Sequence, residues 1–205
     1  MMQQKVGIVD YGMGNTKSVL NAIRIAGGEA KIVSNPDDLL SFDKLILPGV
    51  GAFGQAMHIL NKTGMKSALN DFKKTGNYIL GICLGMQIMC SFSEEDEREA
   101  GLSWFSAKVE ALKPRKGFNI PHMGWNNVDF QQEHFIFNNL KTSSDFYFLH
   151  GFCISRLSRN FTLGLSHHSN SFSSVIAREN LIGVQFHPEK SQSSGLKMLE
   201  NFVGA

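Results

Sequence analysis

Short apolar runs alternating with longer amphipathic stretches restrict this chain's fold more than any other feature. Residues 6–9, 30–33, 44–47 and 78–82 are four or five long and rich in Val, Ile and Leu. Between them lie helical patterns at 16–26, through Leu60, at 65–73 and at 84–92, with Gly27-Gly28 as a stop after the first. Runs this short, apolar throughout rather than alternating, suit strands covered on both faces, and helices of this length join parallel neighbours. Beyond Trp104 the texture changes. Residues 107–112, 146–149, 161–166 and 174–177 read as strands joined by loops, a smaller antiparallel extension in the C-terminal half. Residues 181–186 form another buried strand and 194–202 a closing helix. With 205 residues and neither repeat nor linker, one domain spanning 1–205 is expected.

The composition narrows the function. A net charge of +2 does not favour nucleic acid or an anionic membrane. The first residues lack the pattern of a signal peptide, and no apolar run approaches the ~18 residues of a spanning helix. Cys83, Cys90 and Cys153 are odd in number and lack C-x-x-C spacing, which argues against disulfides and zinc. The expectation is a soluble, cytoplasmic chain. His167-His168 lies among serines and asparagine and reads as a polar loop, so no metal and no cofactor are expected.

Chemistry concentrates in three stretches. "GICLGMQ" places Cys83 after a strand and before a helix, with Gly81 and Gly85 leaving room for a tight elbow. Free amides at the helix start favour an anion there. Cys90, seven residues on, is read as core on the same helix face. "VQFHPEKS" sets His187 and Glu189 at a strand end, where residues i and i+2 point the same way, so the carboxylate reaches the imidazole. Pro188 holds His187 extended. "LPGVGAFG" lacks the lysine and hydroxyl of a phosphate loop. Its Gly49, Val50 and Gly51 amides, with that of Leu84, suit an oxyanion hole.

Together with "VGIVDYGMGNTKSV" and "PHMGWN", these stretches resemble the class I, triad-type glutamine amidotransferases. Within that family they are most similar to the glutaminase subunits of imidazole glycerol phosphate synthases. The resemblance covers the chain almost end to end. It implies a three-layer α/β fold with a flavodoxin-like, mostly parallel sheet and helices on both faces. It also implies a Cys83-His187-Glu189 triad that hydrolyses glutamine. By the same resemblance Gln87 and Glu95 bind substrate, with Gly151 and Phe152 contributing backbone contacts. Asn15, Trp125, Asn126 and Lys190 face a (βα)₈-barrel cyclase that receives the ammonia in histidine biosynthesis. The chain departs from the subunit's usual His-Ser-Tyr, reading His150-Gly151-Phe152. Two alternatives follow: a paralogue feeding sugar amidation in surface polysaccharide assembly, and a non-catalytic scaffold on the same fold.

Overall fold

The computed structural model describes residues 4–155, 157 and 160–205. In chain order its strands are β1 (Lys5–Val9), β2 (Glu29–Val33), β3 (Lys44–Gly49), β4 (Ile79–Cys83), β5 (Cys90–Ser93), β6 (Phe105–Ala111), β7 (His122–Phe130), β8 (Ser143–His150), β9 (Phe152–Ser155), β10 (Thr162–His168), β11 (Asn170–Arg178) and β12 (Leu181–Val184). The helices are α1 (Thr16–Ile25), α2 (Phe53–Lys62), α3 (Met65–Lys74), α4 (Leu84–Gln87) and α5 (Gln192–Gly204).

The apolar runs form one half of the sheet. β2, β1, β3, β4 and β12 lie side by side and parallel, in keeping with the complete burial of β3, β4 and β12 on both faces. This is the doubly wound order, whose switch point lies between β1 and β3. From β12 the sheet continues antiparallel through β11, β10, β7 and β8, while β9 bridges β11 to β6. Alternating side chains feed two apolar layers. Val6, Ile8 and Ile46 pack with Val19 and Ile23 of α1 and Met198 and Phe202 of α5. Val9, Leu45 and Leu47 pack with Phe53 and Leu60 of α2 and Phe72 of α3. Each such fully buried side chain stabilises the fold by ~1.5–3 kcal/mol.

The helix expected over 84–92 is a correction. It ends after one turn, and residues 90–93 form β5 beside β6. Carbonyls that a longer helix would use internally are taken by a later segment: Ile88 by Leu102 N–H at 2.8 Å, Met89 by Trp104 and Phe105 at 2.9 and 3.0 Å. Cys90 therefore sits on a strand rather than a helix face, although it is fully buried as expected. Likewise His167 and His168 end β10 of a hairpin, not a loop.

Candidate active site

Cys83 stands where β4 turns into α4, at φ 54° and ψ −110°. L-residues rarely adopt this conformation, and it persists because the surroundings leave no alternative. The two flanking glycines explain how. A Cβ on Gly85 would lie 1.7 Å from the Leu47 carbonyl oxygen, and one on Gly81 would lie 2.8 Å from backbone atoms of Gly85 and Met86. Only glycine lets the helix fold back this tightly on β3 and β4. Because α4 is a single turn, its dipole is a small contributor. The nearby cation is instead His187.

His187 follows β12, the parallel neighbour of β4, with Val184 in register with Ile82. Its backbone is extended (φ −103°, ψ 94°) ahead of Pro188. Nδ1 contacts Glu189 Oε1 at 2.9 Å, both side chains almost fully buried. Nε2 is buried without a hydrogen-bond partner of normal geometry. Burial alone would lower the imidazole's pKa, but hydrogen bonding and charge from Cys83 and Glu189 outweigh it and raise the pKa to about 10. The sulfur has two weak polar contacts, the Leu149 carbonyl at 3.8 Å and Gln185 Nε2 at 3.7 Å. A nucleophile, an imidazole in its protonated form and an orienting carboxylate therefore occupy one buried site.

The Gly-rich loop stands beside it. Gly49 pairs in register with Cys83, so Val50 and Gly51 continue from β3 next to the nucleophile, Gly51 with φ 109° and Val50 well exposed. Leu84 begins α4 directly after the sulfur-bearing residue. The segment expected to form an oxyanion hole thus lies beside Cys83.

The remaining expected residues divide. Gln87 is buried, its amide donating to the Phe152 carbonyl at 2.9 Å and to Gln185 Oε1 at 3.2 Å, so it braces the site wall. Glu95 is not part of a solvated acidic face: its carboxylate accepts the Phe53 N–H at 2.8 Å, at the start of α2 beyond the Gly-rich loop. Gly151 links β8 to β9, with open space where a Cβ would stand. Phe152 opens β9, half-buried. Asn15 is exposed and caps α1, its side chain accepting from Ser18 N–H at 3.4 Å. Trp125 is exposed on β7, and Lys190 lies over the Tyr147 ring at 5.9 Å. Asn126 is half-buried beside His122.

Three site elements escaped the sequence reading. Gln185 alternates with His187 on the same segment, which is the one local hint of its position. Tyr11, from "DYGMGN", buries its hydroxyl without a partner against Gly49, where an added Cβ would lie 2.6 Å from that oxygen. Burial and then the nearby Cys83 push its pKa far up, so it stays a neutral phenol. His150 and His122 touch at 2.9 Å behind the Phe152 wall. Among the described residues no set of three or more His, Cys, Asp or Glu side chains is arranged to hold a metal ion. Nor is any helix there long and apolar enough to cross a membrane.

A cysteine elbow after a parallel strand, with His and Glu presented by the neighbouring strand, is the arrangement of a triad amidotransferase. The family model for glutamine amidotransferase class-I matches residues 7–205, and the chain belongs to that family of enzymes. Its relatives include the imidazole glycerol phosphate synthase subunit HisH of Sulfurimonas denitrificans, 42% identical over 201 residues and 97% of each chain. The subunit of the same name from Methanosarcina barkeri is 40% identical over 202 residues and 98% of each. Two solved structures share the fold. PurLQS from Thermotoga maritima superposes with TM-score 0.77 at 18% identity over 99% of both chains. A glutamine amidotransferase superposes with TM-score 0.75 at 17% identity, covering 98% of this chain and 99% of that one.

Proposed function

We propose that this chain is the glutaminase subunit of an imidazole glycerol phosphate synthase, acting in the cytoplasm. The observation that carries the reading is the meeting of Cys83, His187 and Glu189 beside the Gly49–Gly51 segment. In this reading the Cys83 sulfur attacks the side-chain amide carbon of glutamine. The oxyanion forms towards the amides of the Gly-rich segment and Leu84, an interaction worth ~10²–10³ in rate for one donor. His187 gives its proton to the departing nitrogen, the carbon–nitrogen bond breaks, and ammonia leaves a γ-glutamyl thioester. His187, now neutral, removes a proton from water, which attacks the thioester; glutamate departs and the sulfur is restored. Glu189 keeps the imidazole oriented throughout. No cofactor enters the cycle. Glu95 and the Gly151-Phe152 backbone hold the substrate's polar end, with Gln87 behind them.

The partner in this reading is a (βα)₈-barrel cyclase, forming a heterodimer and accepting the ammonia for ring closure. Exposed Val50, Met123, Trp125 and Leu149 support a partner face. Asn15 and Lys190 belong to the same face, whereas Asn126, next to Trp125 in β7, turns to the other side of the strand and bonds His122. The relatives' names support the histidine pathway over polysaccharide amidation, and the complete triad supports an enzyme over a scaffold.

The test mixes the purified chain with the barrel subunit and follows glutamate release and ring formation. Cys83→Ser is expected to abolish glutamine-dependent product while added ammonium still supports the barrel's reaction. Loss of the ammonium-driven reaction in an intact complex refutes the division of labour. No glutamate release from the unmutated chain, with or without partner, supports the scaffold.

A further inference from the structure

We infer that His122 and His150 are positioning residues: a one-directional chain of hydrogen bonds that pins the Phe152 carbonyl, and through it Gln87, to Asn126. The inference deepens the glutaminase reading and rests on it for its kinetic consequences. It is carried by the donor and acceptor roles, which main-chain groups dictate from both ends.

At the inner end, the Phe152 carbonyl can only accept. His150 Nδ1 lies 2.8 Å from it, so that nitrogen carries the proton. His150 Nε2 is then a lone pair, and His122 Nδ1, 2.9 Å away, must donate to it. His122 Nε2 is left as an acceptor and faces Asn126 Nδ2 at 3.1 Å. At the outer end, the same conclusion is reached independently. Asn126 Oδ1 accepts the Asn127 N–H at 2.8 Å, while Nδ2 donates to the His167 carbonyl at 3.0 Å, so the amide has one permitted orientation. The two assignments agree at the His122–His150 contact, which needs a single proton between two ring nitrogens.

Inward from Phe152 the chain reaches the nucleophile. The same carbonyl accepts from Gln87 Nε2 at 2.9 Å, which saturates both lone pairs and fixes its direction. Gln87 Nε2 also donates to Gln185 Oε1 at 3.2 Å, and Gln185 Nε2 contacts the Cys83 sulfur at 3.7 Å.

The packing holds both rings in place and uncharged. His122 and His150 are register partners across β7 and β8. His122 is stacked between His168, at 4.0 Å and 17°, and Phe148, at 4.8 Å and 21°. His168 has its own donor role, Nε2 to the Asn119 carbonyl at 2.8 Å. A second proton on either His122 or His150 would have no acceptor without breaking a contact. Burial, reinforced by the neighbouring histidines, lowers both pKa values accordingly.

Two measurements test this. Nitrogen-15 NMR of the histidine rings in the intact chain at neutral pH is expected to show His122 and His150 both neutral and both protonated on Nδ1, with a coupling across the shared hydrogen bond. An Nε2–H form at either ring overturns the inference, and this arm does not depend on turnover. Kinetics in the assembled complex form the second arm. His122→Phe keeps the stack but removes the donor, and is expected to raise KM for glutamine by up to about tenfold with ammonium-driven activity unchanged. His122→Asn, whose Nδ2 overlays the lost Nδ1, is expected to restore most of that. Adding Asn126→Ala to His122→Phe is expected to cost nothing further, because the chain is already cut. Equal KM for His122→Phe and the unmutated chain, no rescue by asparagine, or additive losses in the double variant each refute it. An inactive unmutated complex would instead refute the glutaminase reading, leaving the NMR result to stand alone.

Discussion

Replacing Cys83 by alanine and, separately, by glycine measures the strain held in the elbow. The φ of 54° with ψ of −110° costs a residue bearing a Cβ roughly 1–3 kcal/mol. Alanine keeps the Cβ and therefore the strain, whereas glycine releases it. Against that release stands glycine's larger loss of chain entropy on folding, about 0.5–1 kcal/mol. The lost contacts of one buried carbon subtract at most about 0.8 kcal/mol more. Mid-range values leave Cys83→Gly about 1 kcal/mol more stable than Cys83→Ala, or about 2–4 °C in Tm for a chain of this size. The sign is the useful part, since at an ordinary site glycine is the less stable of the two by a similar amount. Urea denaturation of both variants at one temperature, read only if their m-values agree, decides the matter. Neither variant has a sulfur, so thioester chemistry cannot contribute. Cys83→Gly unfolding at lower urea than Cys83→Ala would refute the claim that the fold strains this residue to present it.

Further expectations follow from the same geometry. His187→Ala is expected to cost about 10²–10⁴-fold in glutamine turnover, and Glu189→Gln less, because the imidazole remains; equal losses contradict an orienting role. The pKa of His187, raised over its unfolded value despite burial, means its stabilisation is complete below about pH 6.5 and is lost as pH climbs towards 10. The stability gap between the unmutated chain and His187→Gln should therefore narrow over that interval in parallel denaturation series. Burial does the reverse at His122 and His150, lowering them to about 4 and about 3. Between pH 6.5 and 4 the unfolded chain then binds more protons, and stability should fall by up to about 1.4 kcal/mol per pH unit for each ring. The double variant His122→Asn/His150→Asn should flatten that slope. Tyr11→Phe removes a buried hydroxyl with no partner and should raise stability by about 1 kcal/mol in thermal melts; a loss of similar size would mean that the oxygen is satisfied.

The inner strands of the parallel half, β3, β4 and β12, were legible because they are buried on both faces and so are almost entirely apolar. β5, β7 and β9 were missed for the complementary reason. β7 reads "HMGWNNVDF", with only His122 and Val128 buried, and owes its conformation to β8 and β10. Local pattern carries no trace of such partners. The same holds within the site. Cys83, His187 and Glu189 could be read from spacing, since their neighbours in sequence dictate their geometry. His122 and His150 meet only across a strand pair, and Tyr11 reaches Gly49 only at the switch point, so neither contact has a signature in sequence. The shortened α4 shows tertiary capture prevailing over helical periodicity, through the carbonyls of Ile88 and Met89.

The placement of the site follows from where the two halves of the sheet join. The parallel half supplies the sulfur, the Gly-rich loop and, beyond β12, the His187–Glu189 pair, whose backbone takes a further hold past the end of its strand. The antiparallel half supplies that hold. The His187 N–H donates to the Tyr147 carbonyl of β8 at 2.9 Å, the Tyr147 N–H donates to Ser191 Oγ at 2.9 Å, and that hydroxyl donates to the His187 carbonyl at 2.6 Å. This closed ring fastens both polar groups of the His187 backbone to the strand that also carries Leu149 and His150. His187 is therefore held both by β12, the neighbour of β4, and by β8 of the antiparallel half, so any tilt of β8 relative to β4 alters the sulfur–imidazole approach. Trp125 and Tyr147 pack edge-on across β7 and β8 at 6.2 Å, with Trp125 exposed to whatever binds there. A partner seated on Trp125 would thus press on the strand that clamps His187. Ser191→Ala, which opens the ring without touching the triad, should lower kcat for glutamine and leave ammonium-driven ring closure intact. Unchanged kcat would mean that β8 does not set the position of the imidazole.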